Sequence, residues 1–211
     1  DKSIEFDDVV KMGRTQLQDA VPIRLGQSFE AYAAVIERDI RRIRSLDSEI
    51  KVLNIGATAV GTAINVNPVY LFHIIRNVNL VCGTDCSQAE DLFDATQNLD
   101  GFVHTSAALR VCAVNLSKIC NDLRLLSSGP KAGLGEINLP PKQNGSSIMP
   151  GKINPVIPEV VSQVAYNVIG NDVTVTMAAE AGQLELNAFE PVIFYKIFES
   201  IDTLRGAVET L

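Results

Sequence analysis

Apolar residues recur along most of this chain at steps of three and four. Leu25, Phe29, Tyr32, Ile36, Ile40, Ile43, Leu46 and Ile50 form one such series. Leu109, Cys112, Leu116, Ile119, Leu123 and Leu126 form a second. That period places each set on one face of an α-helix and predicts helix-on-helix seams rather than strands. The first pattern covers about 30 residues, or roughly 45 Å at 1.5 Å per residue. A helix of that length belongs in an extended bundle, and its seam needs partner helices from the chain or from another subunit. Helix is predicted again from Pro155 or Pro158, with Val156, Val160, Val164 and Val168 on one face, and from about Pro191 to the end. Val173-Thr174-Val175-Thr176 alternates and is β-branched, which suits a strand locally. Its helical neighbours decide for helix. The expected class is all-α, a long-helix bundle.

Three breaks interrupt the pattern. Residues 56–68 carry Gly56, Gly61, Thr62, Asn65, Asn67 and Pro68 and read as a loop. Gly83-Thr84-Asp85 reads as a turn. The longest break spans Ser127 to Pro155, with Gly129-Pro130, Gly133, Gly135, Pro140-Pro141, Asn144-Gly145, Pro150-Gly151 and Asn154-Pro155. So many turn formers cannot continue a helix. Long loops of this kind inside compact domains are often functional.

Composition narrows the classes. The chain has 211 residues, 46% hydrophobic and 20% charged, with a net charge of −7. No basic stripe appears, which argues against nucleic acid as a partner. Arg38, Arg41, Arg42 and Arg44 alternate with Glu37, Asp39 and Asp47 and read as a solvated helix face. No apolar run approaches bilayer length, so no membrane partner is expected. The cysteines Cys82, Cys86, Cys112 and Cys120 are not matched by histidines at ligand spacing, so they read as buried free thiols of a reducing cytoplasm and no metal site is expected. His73 and His104 read as structural or surface residues. The chain starts at Asp1 and reads as a piece of a longer protein.

The chemistry concentrates in Gly145-Ser146-Ser147-Ile148-Met149-Pro150-Gly151-Lys152-Ile153-Asn154-Pro155. Two serines stand in a flexible stretch. Lys152 offers a charge and Asn154 an amide just before a helix start, where backbone N–H groups and the helix dipole favour an anion. Glu159 follows in the first turn, within reach of a lysine or a polar partner. These residues suit a carboxylate or phosphate site under a mobile serine lid. They also suit a surface loop with an ordinary Asn-Pro helix start. Ser147 and Lys152 are too far apart, across Pro150-Gly151, for a Ser-x-x-Lys hydrolase pair. Gly56 to Thr62 lacks the lysine of a phosphate loop.

That stretch resembles the signature of the fumarase/aspartase superfamily. Gly13-Arg14-Thr15-Gln16-Leu17-Gln18-Asp19-Ala20-Val21-Pro22 resembles its second motif. Asn121 to Pro130 resembles the segment leading into the signature, and Gly182-Gln183-Leu184-Glu185-Leu186-Asn187 a downstream one. Gln16 stands where fumarases carry histidine, a pattern seen on the aspartase side. Glu136 to Pro140, Asn154 to Glu159 and Thr174 to Glu180 lean the same way. Ala63 stands where relatives usually carry glycine.

The resemblance implies an ammonia-lyase that converts L-aspartate reversibly to fumarate and ammonia, with fumarate hydratase and a non-catalytic helical scaffold as alternatives. It implies Ser146 as general base and Ser147 as donor to the β-carboxylate. Thr15, Lys152 and Asn154 would hold the α-carboxylate, with Gln16 beside the substrate. It implies no required cofactor, a divalent cation at most as activator, and a cytoplasmic homotetramer with active sites shared between subunits. Residues 1–211 would be the central helical domain, with the signature loop at about 128–154 and both flanking domains absent.

Overall fold

A computed structural model of the chain describes residues 1–145 and 147–211. Helices dominate, as the periodicity predicts. The elements run α1 (Lys2–Glu5), β1 (Val10–Thr15), β2 (Gln18–Arg24), α2 (Leu25–Ser45), α3 (Asp47–Ile50), β3 (Val52–Leu53), α4 (Pro68–Cys82), β4 (Ser87–Gln88), α5 (Asp94–Gln97), α6 (Asp100–Leu126), α7 (Val156–Glu180) and α8 (Glu190–Thr210). The chain divides into two compact units, Asp1–Arg42 and Ile43–Leu211.

The first unit holds an antiparallel hairpin that the apolar pattern does not announce. Strand β1 pairs with β2 from Val10↔Arg24 to Thr15↔Gln18, with a bulge between Met12 and Arg14. Only Ile23 of β2 is even partly buried, so there is no alternation to read. The N-terminal segment docks on the start of α2. The Gly26 N–H donates to the Phe6 carbonyl at 2.9 Å, Arg24 pairs with Asp7 at 2.6 Å, and the Phe6 and Phe29 rings lie 5.4 Å apart. One expectation fails on α2. Asp39 does not lie on a solvated face; it is 1% exposed and bonded to Arg42. A buried carboxylate survives where a cation compensates it.

The core of the second unit is the bundle of α6, α7 and α8. Helices α6 and α7 run antiparallel. Arg124 meets Glu159 at one end, Arg110 meets Asp172 at 3.2 Å further along, and Val103 shares a hollow with Thr176 at the other end. Helix α8 returns along α7, with the Asn171 amide donating to Glu199 at 2.8 Å and Ser200 at 3.1 Å. It touches α6 through Phe102 and Phe194, whose rings lie 5.0 Å apart and perpendicular. Ala113, Cys120, Ala165, Val168, Val175 and Ile193 are almost fully buried. The small Ala113, Cys120 and Ala165 let the helices approach closely, and close packing of that kind supplies most helical stability.

The core face of α7 differs from the expected valine series. Val161, Ser162, Ala165, Val168, Asp172 and Val175 turn inward, while Val160 is 48% exposed. Helix α7 lies between two neighbours, so its buried stripe is set by both and is wider than one valine row. Val173 to Thr176 are helical, so tertiary packing overrides β-propensity there.

Helix α4 begins with Asn67 as N-cap, accepting the Val69 N–H, and Pro68 in the first turn; it ends at Gly83 in the left-handed conformation. Asn79 ties the following turn back to the helix through both Cys86 backbone groups, at 2.8 and 2.9 Å. Cys82 is exposed and Cys86 and Cys112 half-buried; only Cys120 is the buried thiol expected of all four. Burial pushes the Cys120 thiol up to about 11, against the opposing pull of Arg124. No helix of the described residues is long and apolar enough to cross a membrane.

Candidate active site

The signature loop leaves α6 at Ser127 and re-enters helix at Val156. Its first part folds back over the end of α6. The Glu136 N–H donates to the Leu126 carbonyl at 2.8 Å, the Gly135 N–H to the Ser128 carbonyl at 2.9 Å, and the Leu134 N–H to Ser128 Oγ at 3.0 Å. The first of these bonds satisfies a carbonyl that the C-terminus of α6 leaves open. The second part turns at 147–151, where the Lys152 N–H donates to the Met149 carbonyl at 3.2 Å.

Between these two parts lies a cleft of about 490 Å³. Lys152 and Asn154 line it from the second part, with Ser127, Ser128 and Asn138 from the first and Arg124 from the last turn of α6. Two cations and several hydrogen-bonding groups converge there, and no carboxylate lines the hollow among the described residues. In a chain of net charge −7, this local reversal of sign selects an anion. The backbone contributes less than the helix-start argument expects. The Val156 N–H already donates to the Asn154 carbonyl at 2.9 Å, and Pro158 has no N–H to offer. Charge recognition therefore rests on side chains.

The predicted residues fall into two groups. Lys152 and Asn154 share the cleft, with Ser147 exposed on the loop beside them in sequence. Ser146 lies outside the described residues. Thr15 and Gln16 belong to the first unit. Thr15 ends β1 and Gln16 begins the two-residue turn to β2, both exposed. Gln16 and Leu17 sit at φ 52° and 64°. Two left-handed central residues make the hairpin turn whose twist fits the strands, but Asn-Gly is the pairing that favours it. With Gln-Leu each residue costs about 1–2 kcal/mol, and strain of this kind gathers at functional sites.

Within the second unit the Glu159 carboxylate faces Arg124 at 3.7 Å. Arg124 is the cleft residue that sequence reading passes over. It sits inside the recognised Asn121–Pro130 segment, and its position in the final turn of a long helix was the available signal. The histidines lie elsewhere. His104 Nδ1 is 3.0 Å from both Glu49 oxygens, and His73 packs edge-on against Phe72. His104 and Glu49 border a larger hollow of about 960 Å³, together with Asp94, Asp100 and Glu180. That carboxylate-rich lining repels an anion, so the smaller cationic cleft is the candidate site.

Residues 1–170 match the protein-family model described as Lyase. The chain belongs to this lyase family, in the fumarase/aspartase superfamily. Similar curated relatives share one name. The chain is 57% identical over 210 residues to an aspartate ammonia-lyase of Helicobacter pylori, covering 100% of this chain and 45% of that protein. It is 55% identical over 205 residues to an aspartate ammonia-lyase of Bacillus subtilis, covering 97% of this chain and 43% of the relative. Among solved structures it is similar to a fumarate lyase:delta crystallin from Brucella melitensis bound to cobalt, with TM-score 0.95 and 55% identity over 98% of this chain and 45% of that one. A class II fumarase from Schistosoma mansoni superposes with TM-score 0.87 at 35% identity, over 98% of this chain and 46% of that one. The chain thus spans less than half the length of these relatives.

Proposed function

We propose that the protein containing this chain is an ammonia-lyase that interconverts L-aspartate with fumarate and ammonia. The cationic cleft carries the reading. A dicarboxylate needs fixed positive charge and hydrogen-bond donors, and Lys152 and Asn154 supply them in one hollow free of carboxylates among the described residues. Identity of 55% and 57% to aspartate ammonia-lyases, against 35% to the fumarase, favours the amine substrate, as does Gln16.

In this reading Ser146 takes the proton from the carbon beside the β-carboxylate. The electrons pass into that carboxylate as an aci-carboxylate dianion, then return to form the double bond as ammonia leaves. Ser147 donates to the dianion. Lys152 pairs with the α-carboxylate, and Asn154 and Thr15 add hydrogen bonds. Gln16 contacts substrate but cannot shuttle protons near neutral pH. The elimination is redox-neutral and requires no cofactor; a divalent cation serves at most as activator.

The same reading makes this chain the central domain of a cytoplasmic homotetramer with shared active sites, in which Thr15 and Ser146 serve different sites. Exposed apolar residues on the long helices, including Tyr166 and Met177 of α7 and Tyr195 and Phe198 of α8, support association with further copies. The 211-residue chain alone is then inactive.

The test follows fumarate formation by the full-length protein from L-aspartate and from L-malate in parallel. Fumarate from aspartate alone, reduced about 10²–10⁴-fold or more by Ser146→Ala, is the expected result. Fumarate from malate alone would replace the reading with fumarate hydratase. Inactivity with both would leave a helical scaffold.

A further inference from the structure

The Arg124–Glu159 pair joins the two ends of the signature loop. Arg124 lies three residues before Ser127, where the loop leaves α6. Glu159 lies in the first turn of α7, just after the loop returns. Their closest atoms, Nη2 and Oε1, are 3.7 Å apart, and both side chains are about two-fifths exposed, at 41% and 39%. A half-solvated pair at that distance, too long for a hydrogen bond, adds little to folding stability. Its placement has a larger effect. Arg124 and Lys152 line the same cleft, and Lys152 has no ion-pair partner among the described residues. Glu159 is the acidic residue of the first turn of α7. Glu159 does not itself line the cleft, but it lies seven residues after Lys152, so its carboxylate, released from Arg124, has Lys152 as the nearest other cation of the loop along the chain.

We infer that Arg124 is a positioning residue of the signature loop, holding Glu159 away from Lys152 so that the lysine charge stays available to a substrate carboxylate. The inference rests on the proposed lyase reading for the identity of the substrate. It rests on the cleft alone for the charge competition. Arginine suits the task because it stays charged at every working pH and its planar fork is pre-organised for a carboxylate.

Two readouts on the full-length protein separate this role from a structural one. The first is the affinity for succinate, a dicarboxylate with no amine to lose, measured by calorimetry. The second is KM against kcat for L-aspartate. Arg124→Met is expected to weaken succinate and raise the aspartate KM about tenfold, the worth of one charge-assisted contact, with kcat changed less. Adding Glu159→Gln to that variant removes the competing charge and is expected to return succinate affinity to within about threefold of wild type, since a neutral amide cannot quench Lys152. Arg124→Lys keeps a cation opposite Glu159 and should fall between. A double variant as weak as Arg124→Met, or weaker, would overturn the inference, as would a wild-type protein that does not bind succinate. Fumarate formation by the wild type judges the lyase reading separately. A protein that turns over aspartate but shows no rescue sinks only the positioning role. One that shows the rescue but forms no fumarate sinks only the lyase reading.

Discussion

The backbone of Gly145 lies against the carbonyl oxygen of Lys152, so closely that a Cβ at position 145 would come within 2.5 Å of it. The two ends of the serine-bearing stretch therefore touch, and the contact leaves no room for a side chain. The obstruction is backbone, so no rotamer change relieves it. Gly145→Ala should push the stretch away from Lys152 by about 1 Å and lower kcat/KM about 10²-fold, the usual consequence of such a misplacement. Residues 144 and 147–154 are exposed, so folding stability should hardly change. Steady-state kinetics beside a thermal melt tests both halves. Loss of stability together with activity would mean that the loop braces the fold.

The hairpin tip allows turn geometry and chemistry to be separated. Leu17 holds φ 64° and is exposed, with no assigned part in catalysis. Leu17→Gly removes a left-handed strain of about 1–2 kcal/mol and gives back about 0.5–1 kcal/mol in glycine's chain entropy. A small net gain in stability with unchanged turnover is expected. Gln16→Gly should leave the turn equally stable but delete the amide, raising the KM for aspartate about tenfold. Equal kinetic damage from both substitutions would show that the turn's shape, not the amide, is what the site needs.

Ala63, in the loop before α4, sits at φ 52°. Thr58, Asn65, Gly56 and Gly61 in the same loop are also left-handed. The Ala63 N–H is fixed to the Ala57 carbonyl at 2.9 Å, so the residue cannot relax to negative φ without losing that bond. Ala63→Gly should therefore stabilise the protein by about 0.5–1 kcal/mol, the relief of αL strain less the entropy of glycine. Chemical denaturation would register this as a higher midpoint at unchanged slope. A lower midpoint would show that the methyl group packs usefully.

How legible these features are in the sequence depends on the kind of signal each leaves. The helices α6 and α8 are readable because their apolar residues repeat with the period of the element, and α2 is readable only in part, since it ends at Ser45 and a separate short helix, Asp47–Ile50, carries the end of the expected 30-residue series. The hairpin is not, because β2 is exposed almost throughout and strand periodicity needs one buried face. Asp39 misleads in the other direction, since a buried carboxylate compensated by Arg42 looks in sequence like any surface charge. The α7 face is misplaced because a helix packed on two sides buries more than one row. At the site, Lys152 and Asn154 are legible through a motif whose chemistry demands a cation and an amide. Arg124 is not, because its partner Glu159 lies 35 residues away along the chain, and only the α6–α7 packing brings them together.

Glu199 gives the fold a pH dependence whose sign can be stated. Lys196, donating at 2.9 Å, and the buried Asn171 amide, donating at 2.8 Å, both hold its carboxyl below the ordinary value of 4.5. A carboxyl depressed in the folded state stabilises the fold above its unfolded value. That contribution disappears as pH falls through the folded value, because protonation then costs the native state its ionic partners. Glu199→Gln keeps an acceptor for Asn171 but removes the charge that Lys196 meets. The variant should melt below wild type at pH 7, and the gap should close as the pH drops below 4.5. Melting curves of both proteins across the acid range test this. A gap that persists undiminished at the lowest pH would mean that Glu199 contributes through packing between α7 and α8, and that its charge is incidental.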